Sequence, residues 1–303
     1  MTRVLSDGRV YRGDMGASAR KAHRTRRQRL LDQGHTLSKR TFGVEIEYHS
    51  EFPVTKRHVA ERVGLALGQH VHVTEYHGRR CLTCGLEPRG GQWKIEHDGS
   101  LQPRGYGADS TTGEVVSPVL VGQQGLEQLK IVMKAVKEAG GEINSRCGLH
   151  VHIGVRDLDH PKMHRLVEQW MDYQRDFFSL VPRGRRTNHF CQPWALGTSM
   201  EQKAKLALTD RNYFGTWHKY TALNLLPFGR IGTVEFRLHQ GTLNFSKTEA
   251  WIHFLLAFVD SVVDLGAFDE QRQNMKPWEF LMNEKYLPAK SAERIAQRAV
   301  TYA

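Results

Sequence analysis

One pattern constrains this chain more than any other. Four segments alternate apolar residues with ionisable ones at a period of two, the signature of strands with two unlike faces. In Phe42 to Tyr48, Phe42, Val44, Ile46 and Tyr48 fall on one side and Gly43, Glu45 and Glu47 on the other. Leu149, Val151 and Ile153 alternate with His150 and His152. Val234, Phe236 and Leu238 alternate with Glu235 and Arg237, and Trp93 and Ile95 with Lys94, Glu96 and Asp98. The shared design is an apolar back against helices and a front of carboxylates, imidazoles and guanidinium groups.

Carboxylates gathered on one sheet face repel one another. They take up protons or are neutralised by cations. Oxygen ligands with one or two imidazoles suit Mg2+ or Mn2+ better than zinc or copper. A front whose charges simply stand in water is the plainer alternative.

The remaining chain mixes strands with helices, and many strands are joined as hairpins. This points to α+β with an antiparallel sheet. Helices are expected over residues 55–68, 125–139, 161–181, 198–208 and 246–265, with one or two short ones from 276. Further strands are expected at 70–77, 92–97, 113–118, 220–226 and 231–239, the last two joined by Pro227 to Arg230. Residues 182–188 read as an arginine-rich loop. Three parts are expected: a basic arm at 1–40, a main domain at 41–270 with a cysteine-containing hairpin at 70–97, and a helical tail at 271–303. Within the arm, residues 1–16 look irregular and 17–33 read as a basic helix.

Charge supports that division. The formal net charge is +11, but residues 1 to 40 hold 11 Lys/Arg against 3 Asp/Glu, a net +8. The body is nearly balanced, so affinity for nucleic acid or an acidic partner is expected only of the arm. No apolar run approaches the ~20 residues of a membrane span, and the N-terminus lacks the apolar core of a signal peptide. A cytoplasmic protein is expected. Four cysteines are too few for a disulfide scaffold. Cys81 and Cys84 have ligand spacing, with His70, His72 and His77 upstream. A structural Zn2+ on the two cysteines and two of those histidines is one reading, and a hairpin tip with two reduced thiols is the other.

There is no P-loop, no dinucleotide fingerprint, no nucleophile elbow and no H-E-x-x-H. A nucleotide bound here would have its phosphates held by metals and arginines. Phe42-Gly-Val-Glu-Ile-Glu, Asp98-Gly-Ser, Glu114-Val-Val-Ser-Pro, Cys147-Gly-Leu-His-Val-His and Thr233-Val-Glu-Phe-Arg, in that order, resemble the amidoligase family. That family belongs to the glutamine synthetase and glutamate-cysteine ligase superfamily of carboxylate-amine ligases. The resemblance spans roughly residues 40 to 265. It implies a curved antiparallel sheet forming a funnel, ATP, and two or three Mg2+ (or Mn2+) ions. The reaction implied joins a carboxylate, such as glutamate or a peptide carboxyl, to an amine through an acyl phosphate.

Carried over residue by residue, the resemblance puts Glu47, Asp98 and Glu114 around one ion and Glu45, His150 and Glu235 around another. His152 would contact the nucleotide and Arg237 the γ-phosphate, with Glu235 beside it in catalysis. Glu96 could stand in for Asp98. Arg183, Arg185, Arg186 and Arg211 are phosphate candidates, and Asn144 and Asn224 could orient substrate. Two other readings compete: a catalytically silent protein of this fold acting through its arm, and a metal-dependent hydrolase using the same groups without ATP.

Overall fold

The alternating segments assemble into one open, mostly antiparallel sheet of nine strands. The computed structural model describes residues 2–4, 10–12, 28–36, 38–101, 103–194, 218–265 and 275–303. Its elements are β1 (Thr2–Val4), β2 (Val10–Arg12), β3 (Thr41–Ser50), α1 (Lys56–Leu67), β4 (His72–Val73), β5 (Lys94–Glu96), β6 (Thr112–Val116), β7 (Leu120–Val121), α2 (Gly122–Glu138), β8 (Gly141–Glu142) and β9 (Gly148–Gly154). Then follow α3 (His160–Ser179), α4 (Arg183–Arg186), β10 (Leu223–Asn224), α5 (Leu226–Ile231), β11 (Thr233–Gln240), α6 (Phe245–Leu265), α7 (Pro277–Asn283) and α8 (Ala289–Tyr302). The strand order is β10-β11-β9-β3-β6-β5-β4, with β7 and β8 also on β3, while β1 and β2 form a separate pair.

The apolar back is where the sequence puts it. Phe42, Val44, Ile46, Tyr48, Leu149, Val151, Ile153, Val234 and Phe236 are all buried in the core shared with the helices. At its centre Phe177 of α3 lies 4.8 Å from Phe254, 4.9 Å from Trp170 and 5.0 Å from Phe258, ring centre to ring centre. Truncating such a ring removes its transfer free energy and leaves a cavity. Phe177→Ala should therefore cost about 3–5 kcal/mol in urea unfolding. A loss below about 1 kcal/mol would mean that α3 does not anchor the sheet.

Local chemistry sets the helix ends. Thr55 accepts a hydrogen bond from the His58 N–H at the start of α1, and Gly68 closes it in a left-handed conformation. Asp159 caps α3 in the same way, accepting from the Lys162 N–H at 3.0 Å. Helix α2 begins at Gly122 rather than Gly125. Gly125 is a packing residue: a Cβ there would come within 2.9 Å of Leu120 Cβ.

Several expectations need correction. Residues 70–97 are not a hairpin, because β4 and β5 are two and three residues long and pair in parallel. Val71 to Thr74 are buried consecutively instead of alternating, and the chain then turns, with Gly78 N–H donating to Glu75 O at 2.8 Å. The link from Pro227 to Arg230 lies within the short helix α5, with Pro227 in its first turn, where a missing N–H costs nothing. The arginine-rich stretch forms α4. At the N-terminus, residues 2–4 and 10–12 pair as antiparallel strands where irregular chain was expected. Residues 28–32 are helical. Gln33 lies in the turn that follows, while residues 17–27 of the expected basic helix, and the helix at 198–208, lie outside the described residues. Arg40, assigned to the arm, donates to Asp157, Asp260 and the Gly154 carbonyl of the body. No helix among the described residues is long and apolar enough to cross a membrane.

Candidate active site

The front of the sheet gathers its ionisable groups through cross-strand register. Glu45 stands opposite His150, Glu47 opposite Glu114, and Glu114 opposite Glu96 on the next strand. On the other side His152 faces Glu235, and Glu235 faces Asn224. Directly opposed side chains lie within reach of one another. An ionisable row therefore runs across β11, β9, β3, β6 and β5, and Asn224 extends it as a polar group onto β10.

His150 sits at its centre. Its Nδ1 is 3.0 Å from Glu45, 3.6 Å from Glu235 and 3.7 Å from Glu114, and its Nε2 is 3.8 Å from Glu47. His152 Nε2 is 3.3 Å from Glu45 and 4.0 Å from Glu235, and its Nδ1 is 3.0 Å from Thr233 Oγ1. Glu47 accepts the Gly148 N–H at 2.6 Å. Glycine leaves room there for the imidazole, since a Cβ at 148 would sit 3.0 Å from His150 Nε2. Asn224 donates to Glu235 at 2.7 Å, and Arg237 donates to the same carboxylate at 2.5 Å. Arg237 Nε is fixed on the Phe190 carbonyl at 3.2 Å.

Their electrostatics divide the carboxylates. Burial pushes Glu114 well above the ordinary range, and the charges of Glu45, Glu47, Asp98 and Glu96 push it further. Glu47 is raised by burial and by Asp98, against the pull of His150, the Gly148 N–H and Arg185. Burial opposes ionisation of Glu45 too, but hydrogen bonds from His150 and His152 hold it well below the usual range. Burial disfavours charge on His152, yet Glu45 and Glu235 raise it. The face has more negative charge than it can neutralise from within, which is the condition that favours bound cations.

These groups floor a cavity of about 600 Å³, ample for a nucleotide-sized ligand. Asp98, Glu96 and Arg185 line it as well. Asp98 sits in a tight turn, accepting the Ser100 N–H at 2.7 Å. Glu96 is engaged by Lys94. Buried Arg185 spends two N–H groups on the carbonyls of Arg237 and Leu238, so it braces β11 from beneath.

Arg186 is a correction: it lies away from the cavity, donating to the carbonyls of Val181, Ser179 and Tyr302. Arg183 is exposed and Asn144 shapes the turn before Cys147, and neither lines the cavity. Arg211 lies outside the described residues. The sequence did not single out the rim, where Tyr76, Phe190, Lys219 and Tyr220 stand. Lys219 Nζ lies 5.5 Å and 5.1 Å from the Tyr76 and Tyr220 ring centres. No period or motif marks such loop residues.

Three sets of ligand atoms lie within 4.8 Å of one another: Glu47, Asp98 and Glu114; Glu45, Glu114 and His150; Glu45, His152 and Glu235. Hard divalent cations held at about 2.0–2.1 Å bring neighbouring ligand atoms to roughly 3 Å, which side chains already gathered within 4.8 Å reach by small rotamer adjustments. The donors thus fit Mg2+ or Mn2+. The first set is the one expected. The residues of the second expected set also stand together, His150 Nδ1 lying near both Glu45 and Glu235, and the structure adds Glu114 beside His150 and His152 beside Glu45 and Glu235. A separate cluster, His70, His72, Cys81 and Cys84, forms beside the wall that holds Tyr76 and His77.

A family model described as "Putative amidoligase enzyme" matches residues 38–259, which include every residue of the three carboxylate and imidazole sets. No curated protein matches the chain. Among solved structures, the cryo-EM structure of Plasmodium falciparum glutamine synthetase is similar at a TM-score of 0.33 and 10% identity. The similarity covers 88% of this chain and 61% of the other, so the chain spans about six tenths of that protein's length.

Proposed function

Since the chain belongs to the amidoligase family, we propose that it is an ATP-dependent ligase joining a carboxylate to an amine. The observation that supports this most is the contact of Arg237 with Glu235 at the edge of three adjoining ligand sets. It sets a guanidinium, the group suited to a phosphoryl oxygen, next to the groups suited to cations.

In the proposed reaction an oxygen of the substrate carboxylate attacks the γ-phosphorus, and ADP leaves. The amine nitrogen then attacks the acyl carbon of the acyl phosphate, the bond to phosphate breaks, and the amine's proton passes to a base. Magnesium ions held by the carboxylate sets supply charge neutralisation between triphosphate and carboxylate. The chain's own contribution is positioning and electrostatics, as phosphoryl transfer requires. Arg237, fixed by Phe190 and Glu235, meets the transferred phosphoryl group. Asn224 and Thr233 hold Glu235 and His152 in their rotamers. Tyr76 and Tyr220 offer flat faces at the rim for a base.

Calorimetric titration with ATP and a non-hydrolysable analogue, in Mg2+, in Mn2+ and in chelator, tests this reading. Metal-dependent binding is expected, and Glu235→Gln should weaken it at least about tenfold, as loss of groups that hold a metal does. Deletion of residues 1–38 should leave it intact, since none of the ligand sets lies there. Equal binding with and without metal, or none in any condition, would remove the ligase reading.

A further inference from the structure

We propose that His70, His72, Cys81 and Cys84 bind one structural Zn2+ ion, and that this ion fixes the segment 74–98, whose two ends bring Tyr76, His77, Glu96, His97 and Asp98 to the cavity wall. The site is independent of the carboxylate face and of the ligase reading.

The four ligand atoms lie within 4.8 Å of one another. Cys81 Sγ is 3.8 Å from His70 Nε2, and Cys84 Sγ is 3.8 Å from His72 Nδ1. Tetrahedral zinc with bonds of about 2.3 Å to sulfur and 2.0–2.1 Å to nitrogen gives sulfur–nitrogen edges of roughly 3.6 Å. The two imidazoles meet edge to face, 89° apart, so their nitrogens approach the sulfurs from different directions. Two thiolates with two imidazoles select zinc over the hard cations suited to the carboxylate face.

The surroundings are those of a metal site. His72 Nε2 is 3.0 Å from Gln92 Oε1. An N–H there donates to the amide oxygen and leaves the Nδ1 lone pair for the metal, the same division of roles that an outer hydrogen-bond acceptor imposes on a ligating histidine. The cysteines sit on a tight turn: Gly85 N–H donates to Cys81 O at 2.9 Å, and Gly85 takes φ 73°. Thr83 Oγ1 lies 3.0 Å from Cys81 Sγ, in place to donate to a thiolate. Both thiols are free.

The fold also needs a staple here. Residues 74–93 include no helix or strand, between strands of two and three residues. Such a loop inside a domain is unusual without an anchor. It brings Tyr76 and His77 to the cavity and leads into Glu96 and Asp98.

Metal analysis of the purified full chain, grown with zinc, should find about one zinc per molecule. Substituted Co2+ should give the absorption of a tetrahedral ion with thiolate ligands. Cys81→Ser and Cys84→Ser should lose both signals, and Glu114→Gln should keep them. Stripping the metal should speed protease cleavage within residues 78–91 at least fivefold. Wild-type protein holding less than about a tenth of an equivalent would overturn the site. So would zinc retained by Cys84→Ser but lost from Glu114→Gln. Bound zinc with unchanged cleavage would overturn its role in fixing the wall.

Discussion

Glu114→Gln should make the metal-free protein more stable and remove most of its stabilisation by Mg2+. Glu114 is buried among Glu45, Glu47, Glu96 and Asp98, and its carboxyl is raised well above its ordinary value for that reason. The folded protein therefore keeps a proton that the unfolded chain releases near 4.5. The stability linked to that proton is complete below pH 4.5 and is lost as pH rises through the folded value. Other groups titrate over the same range with both signs. His239 and His253, buried and held neutral, favour the fold more as pH rises towards 6.5, and Cys81, lowered to about 5, continues that trend towards 9. The difference between wild type and variant removes those distant groups and reports Glu114 together with the neighbouring carboxylates whose titration it shifts. It should be near zero at pH 4.5 and grow in the variant's favour above it. By pH 8 it should reach at least about 2 °C in Tm, the shift for about 1 kcal/mol in a chain of this size. Added Mg2+ should raise the wild-type Tm much more than the variant's, because a neutral amide cannot replace the carboxylate that the proposed Mg2+ sites would use. A variant less stable than wild type across the whole range would show that Glu114 makes a net favourable ion pair without metal.

Arg237 is expected to have the largest effect on turnover. Arg237→Lys and Arg237→Ala should each lower ADP release by about 10³-fold or more, the range for an arginine acting on a transferred phosphoryl group. Binding of the Mg2+ nucleotide should change less than about tenfold, because in the proposed reaction metals would hold most of the triphosphate. Lysine should not rescue, since it cannot reach Phe190 O and Glu235 together with the planar fork that Arg237 uses. Single-turnover measurements separate the step from product release. Turnover lost only in proportion to binding would make Arg237 a nucleotide anchor without a part in phosphoryl transfer.

The difference between Arg185 and Arg186 shows where the sequence stops being informative. Both stand in one basic run, and nothing local distinguishes them. In the fold the first braces β11 beneath the cavity and the second ties α4 to the chain's last turn. His239 teaches the same lesson. Strict alternation from Glu235 and Arg237 would put it on the front. Phe236 pairs with Val151 but His239 with Leu149, one extra residue on β11. That bulge turns His239 to the core, 5.1 Å from Trp251.

The sequence by itself determined the two faces of the sheet, the carboxylate and imidazole character of the front, and the caps of α1 and α3. These follow from period-two alternation and from side chains bonding to nearby backbone, which are local physics. The tertiary structure decided who neighbours whom: His150 among four glutamates, His152 with Glu45 and Glu235, His70 and His72 with the cysteines. Alternation fixes the side of a sheet on which a residue stands. Its partner across the sheet depends on register between strands up to about a hundred residues apart, and only the packed chain sets that register.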